Sequence, residues 1–406
     1  VEKTSAHGIP SHHNQQAATP FRQQLAPVYL LVLIFLLNFI ARIIFSPILP
    51  TIEKELVISH ARAGSLFFII SAGYLLGLLG SGFLVSRSTH KQVIVLSAAG
   101  VGTSLLAVSL AAGFWAIGVA LIALGVAAGL YIPSAVATIT SVVDRQHWGK
   151  AIAVHELAPN LAFFIGPFVA ELFLRWSSWR MALGFLGALS LTVSIAYRRY
   201  GRGGEFSGAS PASRAFGTLL GSAALWLIVI LFGAGVSSTI GVYAMLPLYL
   251  INERQMESSW TNTVLALSRS YAPILGLSGG WVSDWLGPKQ TMVVSLFFTG
   301  TVTFLLGVVP LTALNAVILL QPLLAVWFFP AVFAALSAIT SPAARNLAIA
   351  VTVPFGYVIG GGAIPTLIGI TGDAGSFALG FILTGAFITI GGVLALVLNL
   401  PEVDKA

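Results

Sequence analysis

The chain has 406 residues, of which 57% are hydrophobic and 8% charged, against roughly a quarter charged in an ordinary soluble domain. Its mean hydropathy is +0.94, which excludes a soluble enzyme and directs most of the chain into lipid. The net charge of +7 would suggest nucleic acid in a soluble protein, but here its distribution among loops carries the information and no nucleic-acid partner is expected. There is no cysteine, so disulfides and thiolate metal sites are excluded. No phosphate-binding loop, metal cluster or nucleophile constellation occurs in the sequence, so neither a cofactor nor ATP hydrolysis is expected.

Residues 1–27 form a polar tail rich in Gln, His and Ala, without the short apolar core of a secretory signal. A membrane span needs about 20 apolar residues. Twelve such stretches follow, at 28–50, 62–85, 92–111, 114–141, 150–174, 179–198, 219–250, 260–283, 289–309, 313–339, 345–370 and 374–399. They predict an all-α membrane protein with an N-terminal bundle (28–198), a linker (199–218), a C-terminal bundle (219–399) and a short tail (400–406). Thirteen of the twenty Lys and Arg residues fall on the side of the termini, which the positive-inside rule places in the cytoplasm. The expectation is a monomeric multi-pass protein of a bacterial inner (cell) membrane.

Charges within spans mark sites by default, because burying one at the bilayer centre costs at least about 2.5–3.5 kcal/mol. The first span sets Asn38, Arg42, Ser46 and Pro50 at four-residue steps, on one helical face. The second carries Gly73, Tyr74 and Gly77, and the fourth Gly125 and Gly129; small residues at this spacing let helix backbones approach closely. In the fifth span His155 adjoins Glu156. Two readings stand for that pair: a proton-exchanging site, or a Glu anchoring the loop by pairing with Arg145 or Lys150. The linker "RRYGRGGEFSGASPASRAF" reads as a flexible cytoplasmic connector. The eighth span places Arg269 on a stripe with Asn262, Pro273, Gly276 and Gly280, and the tenth contains Gln321. A guanidinium binds carboxylate or phosphate in bidentate fashion and stays charged, so Arg42 and Arg269, with Asn38, Tyr74 and Gln321, are the candidate substrate ligands.

One internal shift recurs. Leu49-Pro50 matches Leu246-Pro247, Pro133 matches Pro330, and Ala151 to Val154 matches Ala348 to Val351, each at 197 residues. Three matches at one offset indicate a duplicated six-helix unit, the architecture in which transporters place substrate between repeats.

The loop "GGWVSDWLGPKQ" carries Gly280, Asp284, Gly287 and Lys289, and by this motif the chain resembles the major facilitator superfamily, in which the motif forms a latch between adjacent spans. The matching loop of the first half, "GFLVSRSTHKQ", keeps Gly82, Arg87 and Lys91 but has Ser86 where the acid belongs. The stretch "NFIARIIFSPILP", with Gly64, Ser65, Gly73, Tyr74 and Trp179-Arg180, is similar to the anion:cation symporter branch, whose corresponding Arg contacts the acidic group of substrate. Two acids linked to proton coupling in that branch are replaced by Ala41 and Ala128, which leaves Glu156, assisted by His155, as the expected proton carrier. The resemblance implies two pseudo-symmetric six-helix bundles and a secondary active transporter. The expected substrate is a small organic anion (carboxylate, sugar acid or phosphate ester) moved with protons by alternating access. A proton-driven efflux pump for drugs or metabolites is the alternative, and a ligand sensor that does not transport is a third.

Overall fold

The computed structural model describes residues 21–208, 220–340 and 344–400. Eleven helices within them are long and apolar enough to cross a membrane. They are α1 (Ala26–Leu56), α2 (His60–Val85), α3 (His90–Leu110), α4 (Phe114–Val142), α5 (Arg145–Trp176), α6 (Trp179–Tyr200), α7 (Ala223–Glu253), α9 (Pro288–Val308), α10 (Leu311–Ile339), α11 (Leu347–Asp373) and α12 (Phe377–Val397). The remaining span, α8, is broken into Ser258–Leu267 and Ala272–Leu286. The sequence predicts it as continuous. Pro273 has no N–H to offer the Arg269 carbonyl, and residues 269–272 instead turn tightly, with Ser270 bonded to Leu267 and Ala272 to Arg269.

Prolines shape the other deep helices in a regular way. The α-helical pattern lapses at Ile44, Leu130 and Glu156, each three residues before a proline (Pro47, Pro133, Pro159) that cannot bond the carbonyl one turn back. In α7, Pro247 leaves the Tyr243 carbonyl free, and the Ser46 hydroxyl of α1 donates to it at 2.6 Å. Ser46 and Tyr243 are themselves 197 residues apart, so this bond joins equivalent positions of the two repeats.

The halves meet chiefly through α1 with α7, α2 with α11, and α5 with α8. These contacts run from the middle of the molecule to the end away from the chain termini. Along α2 and α11 the backbones nearly touch: a Cβ on Gly64 would lie 2.4 Å from the Pro365 oxygen, and one on Gly369 2.3 Å from the His60 oxygen. At the far end the Asp373 carboxylate accepts from the His60 and Ala61 N–H groups, at 2.8 and 3.0 Å. Glu53 accepts from Asn252 and bonds His60 there. Between α5 and α8, Asn262 donates to Glu171 at 3.0 Å. The two glycine pairs noted in the sequence face one another inside the first half, where Gly73 and Gly77 meet Gly125 and Val126.

The linker departs from its expected flexibility over residues 201–208. Gly203 and Gly204 take positive φ, and the segment lies along the α2–α3 loop. His90 N–H bonds Phe206, Lys91 N–H bonds Gly204, and Gly208 N–H bonds Val85. Composition suggested a coil, but these backbone groups are satisfied by a loop distant in sequence. Residues 209–219 lie outside the described residues.

Candidate functional site

Arg42 is buried midway along α1, next to the break at Ile44. Its guanidinium lies 4.6 Å from the Phe39 ring, 4.7 Å from Tyr74 and 5.6 Å from Tyr357. No carboxylate pairs with it among the described residues, and its Nε has no hydrogen-bond partner. Rings can stabilise a guanidinium through their faces, by about 2 kcal/mol or more when desolvated, but they do not satisfy its N–H groups. A narrow cavity of about 20 Å³, room for one water, adjoins it between α1, α2, α7 and α11, where the halves meet. Tyr74 and Tyr357, one from each half, stand 5.0 Å apart. Of the lining residues on α2 and α11, they are the nearest to the end that carries the termini.

The structure brings Arg42 and Tyr74 together but holds Arg269 apart. Arg269 is also buried, donates to the Thr239 carbonyl at 3.1 Å and packs against Phe163 and Tyr243. Phe39 and Phe163 meet edge to face at 5.2 Å, so each guanidinium packs on its own member of a ring pair, and Arg269 does not line the Arg42 cavity. Asn38 points away from it and donates to the Ala128 carbonyl at 3.3 Å. Gln321 spends its amide protons on Ser238 and Thr303. Both are interhelical bonds.

His155 lies fully buried where α5 is interrupted, stacked on Phe35 at 4.5 Å and on Tyr131 at 5.7 Å. The Tyr131 hydroxyl donates to the Leu31 carbonyl at 2.6 Å. Its single proton is thereby used, so at the 3.0 Å contact with His155 the phenol oxygen accepts and Nε2 donates. Nδ1 then faces the Glu156 carboxylate oxygen at 3.4 Å. A neutral ring with its proton on Nε2 would set a lone pair against that oxygen, and one added proton turns the contact into a hydrogen bond. Glu156 is half exposed. It forms no ion pair with Arg145 or Lys150 among the described residues. At the equivalent positions of the second half stand Phe232, Phe328 and Thr352, where the ring contact persists at 6.5 Å without an ionisable group.

At the signature loop of the second half, Gly287 adopts φ +86° and separates α8 from α9, a conformation that favours glycine. Asp284 is exposed and forms no ion pair with Lys289 among the described residues, and a Cβ on Gly280 would meet nothing. In the first half, where the acid is absent, Glu205 of the docked linker pairs with Lys91 at 3.2 Å, a contact the sequence did not reveal. Tyr357 and Phe39 were likewise missed as neighbours of Arg42. Aromatics are frequent in every span, and only the fold brings α11 beside α1.

A buried cation with no carboxylate partner among the described residues lies between two repeated helical bundles, an arrangement that suits a membrane transporter. The Major Facilitator Superfamily model matches residues 31–327, and the chain belongs to that family. Among solved structures it is similar to a bacterial homologue of the human lysosomal transporter Spinster, in an inward-facing and unoccupied conformation. That similarity has a TM-score of 0.78 and 14% identity, and covers 94% of this chain and 97% of that one. A POT family transporter in complex with a thioalcohol-conjugated peptide matches with a TM-score of 0.77 at 12% identity, covering 92% and 96%. At these identities the likeness concerns the fold.

Proposed function

We propose that this secondary transporter carries a small organic anion together with protons, with Arg42 as the anion ligand and the His155–Glu156 pair as the proton site. The observation that carries the reading is the Arg42 guanidinium, buried between the halves with aromatic neighbours and no carboxylate. A protein retains an unpaired intramembrane charge at such cost where a ligand supplies the counter-charge. A proton taken up at the pair and a bound anion carry opposite charges, so each occupancy favours the other. Arg269 serves the second half as a fixed positive charge, with a carbonyl already satisfying part of its fork.

The direction of opening follows from the contacts between halves. They extend toward the end away from the termini, so with both termini in the cytoplasm, as the loop charges favour, this conformation faces inward. The Spinster homologue to which it is similar was likewise captured inward-facing. Transport then rocks the halves about the Ser46–Tyr243 bond, parting the Asp373 and Gly369 contacts to open the outer side.

A thermal-shift screen of the purified protein tests the reading, using mono- and dicarboxylates, sugar acids, phosphate esters and lipophilic cations. Anions are expected to raise the melting temperature of the wild type but not of Arg42→Ala. Stabilisation by lipophilic cations alone, or equal anion effects on both proteins, would overturn it.

A further inference from the structure

We propose that the Arg42 site selects monoanions with an apolar, preferably aromatic, body over polyhydroxylated acids and dianions; this rests on the anion reading above. The cavity beside the guanidinium is walled by Phe39, Phe67, Ile70 and the rings of Tyr74 and Tyr357, and its surface is overwhelmingly apolar. Ser71 and the two phenols are the neutral side chains there with polar atoms. A sugar acid brings a hydroxyl on nearly every carbon, and most lose water on entry without a partner, since Ser71 and the two phenols can serve only a few. An apolar body meets the reverse situation, gaining from every wall.

Charge count gives the second restriction. One guanidinium lines the cavity, while Arg269 packs against Phe163 and Tyr243 and does not line it. A carboxylate or other single negative group can take the fork of Arg42, but a second negative group on the same ligand would be buried without a counter-charge. Geometry supplies the aromatic preference. Tyr74 and Tyr357 come from opposite halves with centroids 5.0 Å apart and, with Phe39 and Phe67, give the cavity aromatic walls. A flat ring of the ligand packs against these rings while its acidic group reaches Arg42.

Isothermal titration of the purified full-length protein with phenylacetate, glucuronate and phthalate tests this. Phenylacetate and glucuronate both present a single carboxylate, one with an apolar ring and one with a hydroxylated ring, and phthalate adds a second charge. Phenylacetate is expected to bind at least tenfold more tightly than either, and Ile70→Asn, which adds a polar group to the wall, to narrow the phenylacetate-to-glucuronate ratio at least threefold. If glucuronate or phthalate binds as tightly as phenylacetate and the binding is lost in Arg42→Ala, the selectivity is wrong and the anion site stands. If none of the three binds, or if binding survives Arg42→Ala unchanged, the site itself is wrong and the selectivity falls with it.

Discussion

Arg42 occupies a position that a stable apolar bundle would fill with leucine. Its cation–π contacts offset part of the desolvation cost, and the unpartnered Nε shows that the offset is incomplete. Removing the charge should therefore not lower the stability of the ligand-free protein. Arg42→Ala is expected to melt no more than a few degrees away from the wild type, and to lose the whole stabilisation conferred by anions. Arg42→Lys should remain at least tenfold weaker in anion binding, because an ammonium lacks the planar fork; titration calorimetry reads both.

The His155–Glu156 contact gives a prediction of opposite sign for pH. On the proposed reading Tyr131 fixes the Nε2 proton, and the transported proton goes between Nδ1 and the Glu156 carboxylate. A bound anion favours that proton, so reciprocity requires tighter anion binding as pH falls. Glu156→Gln offers an amide N–H to Nδ1 permanently. It should keep the tight binding of low pH at all pH values, support substrate exchange, and lose accumulation driven by a pH gradient. Retention of a normal pH dependence in counterflow and uptake assays would assign Glu156 a structural role. The charges of this site were legible in the sequence because a hydropathic span exposes any ionisable residue. Their partners were not: Asn38 and Gln321 are as polar as Tyr74, and whether each meets a carbonyl or a cavity is decided by helices up to 90 residues away.

Helices were legible through their apolar runs, and their interruptions less so. An average over α8 conceals the turn at 269–272, since its flanks are as apolar as any other span, although Pro273 held the clue. The docked 201–208 segment was illegible for a different reason: its order comes from backbone bonds to the α2–α3 loop rather than from its own composition. At the outer end, Asp373 caps the N-terminus of α2 across the interface between halves. A cap of this kind is worth about 1 kcal/mol against alanine, so Asp373→Ala should shift the balance of states toward outward-open by about fivefold. Glu55→Gln is the control, since Glu55 bonds Trp179 and Arg180 within its own half. The chain lacks cysteine, so spin labels at Leu110→Cys and Leu311→Cys, exposed ends of α3 and α10 in opposite halves, report the separation by pulsed electron resonance.

Two glycines distinguish packing within a half from packing between halves. A Cβ at Gly369 would lie 2.3 Å from the His60 oxygen, and one at Gly125 2.2 Å from the Ile70 oxygen. The first clash is relieved when the halves rock apart, whereas the second persists in every state. Gly369→Ala should therefore fold and lengthen the Leu110–Leu311 distance, while Gly125→Ala should lower the melting temperature without moving that distance. A lengthened distance in Gly125→Ala, or none in Gly369→Ala, would contradict the assignment of α2 and α11 as the moving interface.

The whole molecule is two copies of one six-helix unit that have diverged where they meet. The repeat was readable from three matches at one shift, and the Ser46–Tyr243 bond joins equivalent positions of α1 and α7, four residues before the matched prolines. Divergence left His155 and the cavity arginine in the first half, with Thr352 and Thr239 at the matching positions of the second. The second half supplies the opposing wall of the cavity through Ile240 and Tyr357. The most direct measurement is proton movement in proteoliposomes containing a pH-sensitive dye, with protein-free liposomes as reference, on addition of phenylacetate, glucuronate or glycerol phosphate. At least one anion is expected to carry protons inward with the wild type, and none with Arg42→Ala or Glu156→Gln. Proton movement undiminished in Arg42→Ala, or absent from the wild type with all three anions, would contradict an anion carrier coupled to protons at this site.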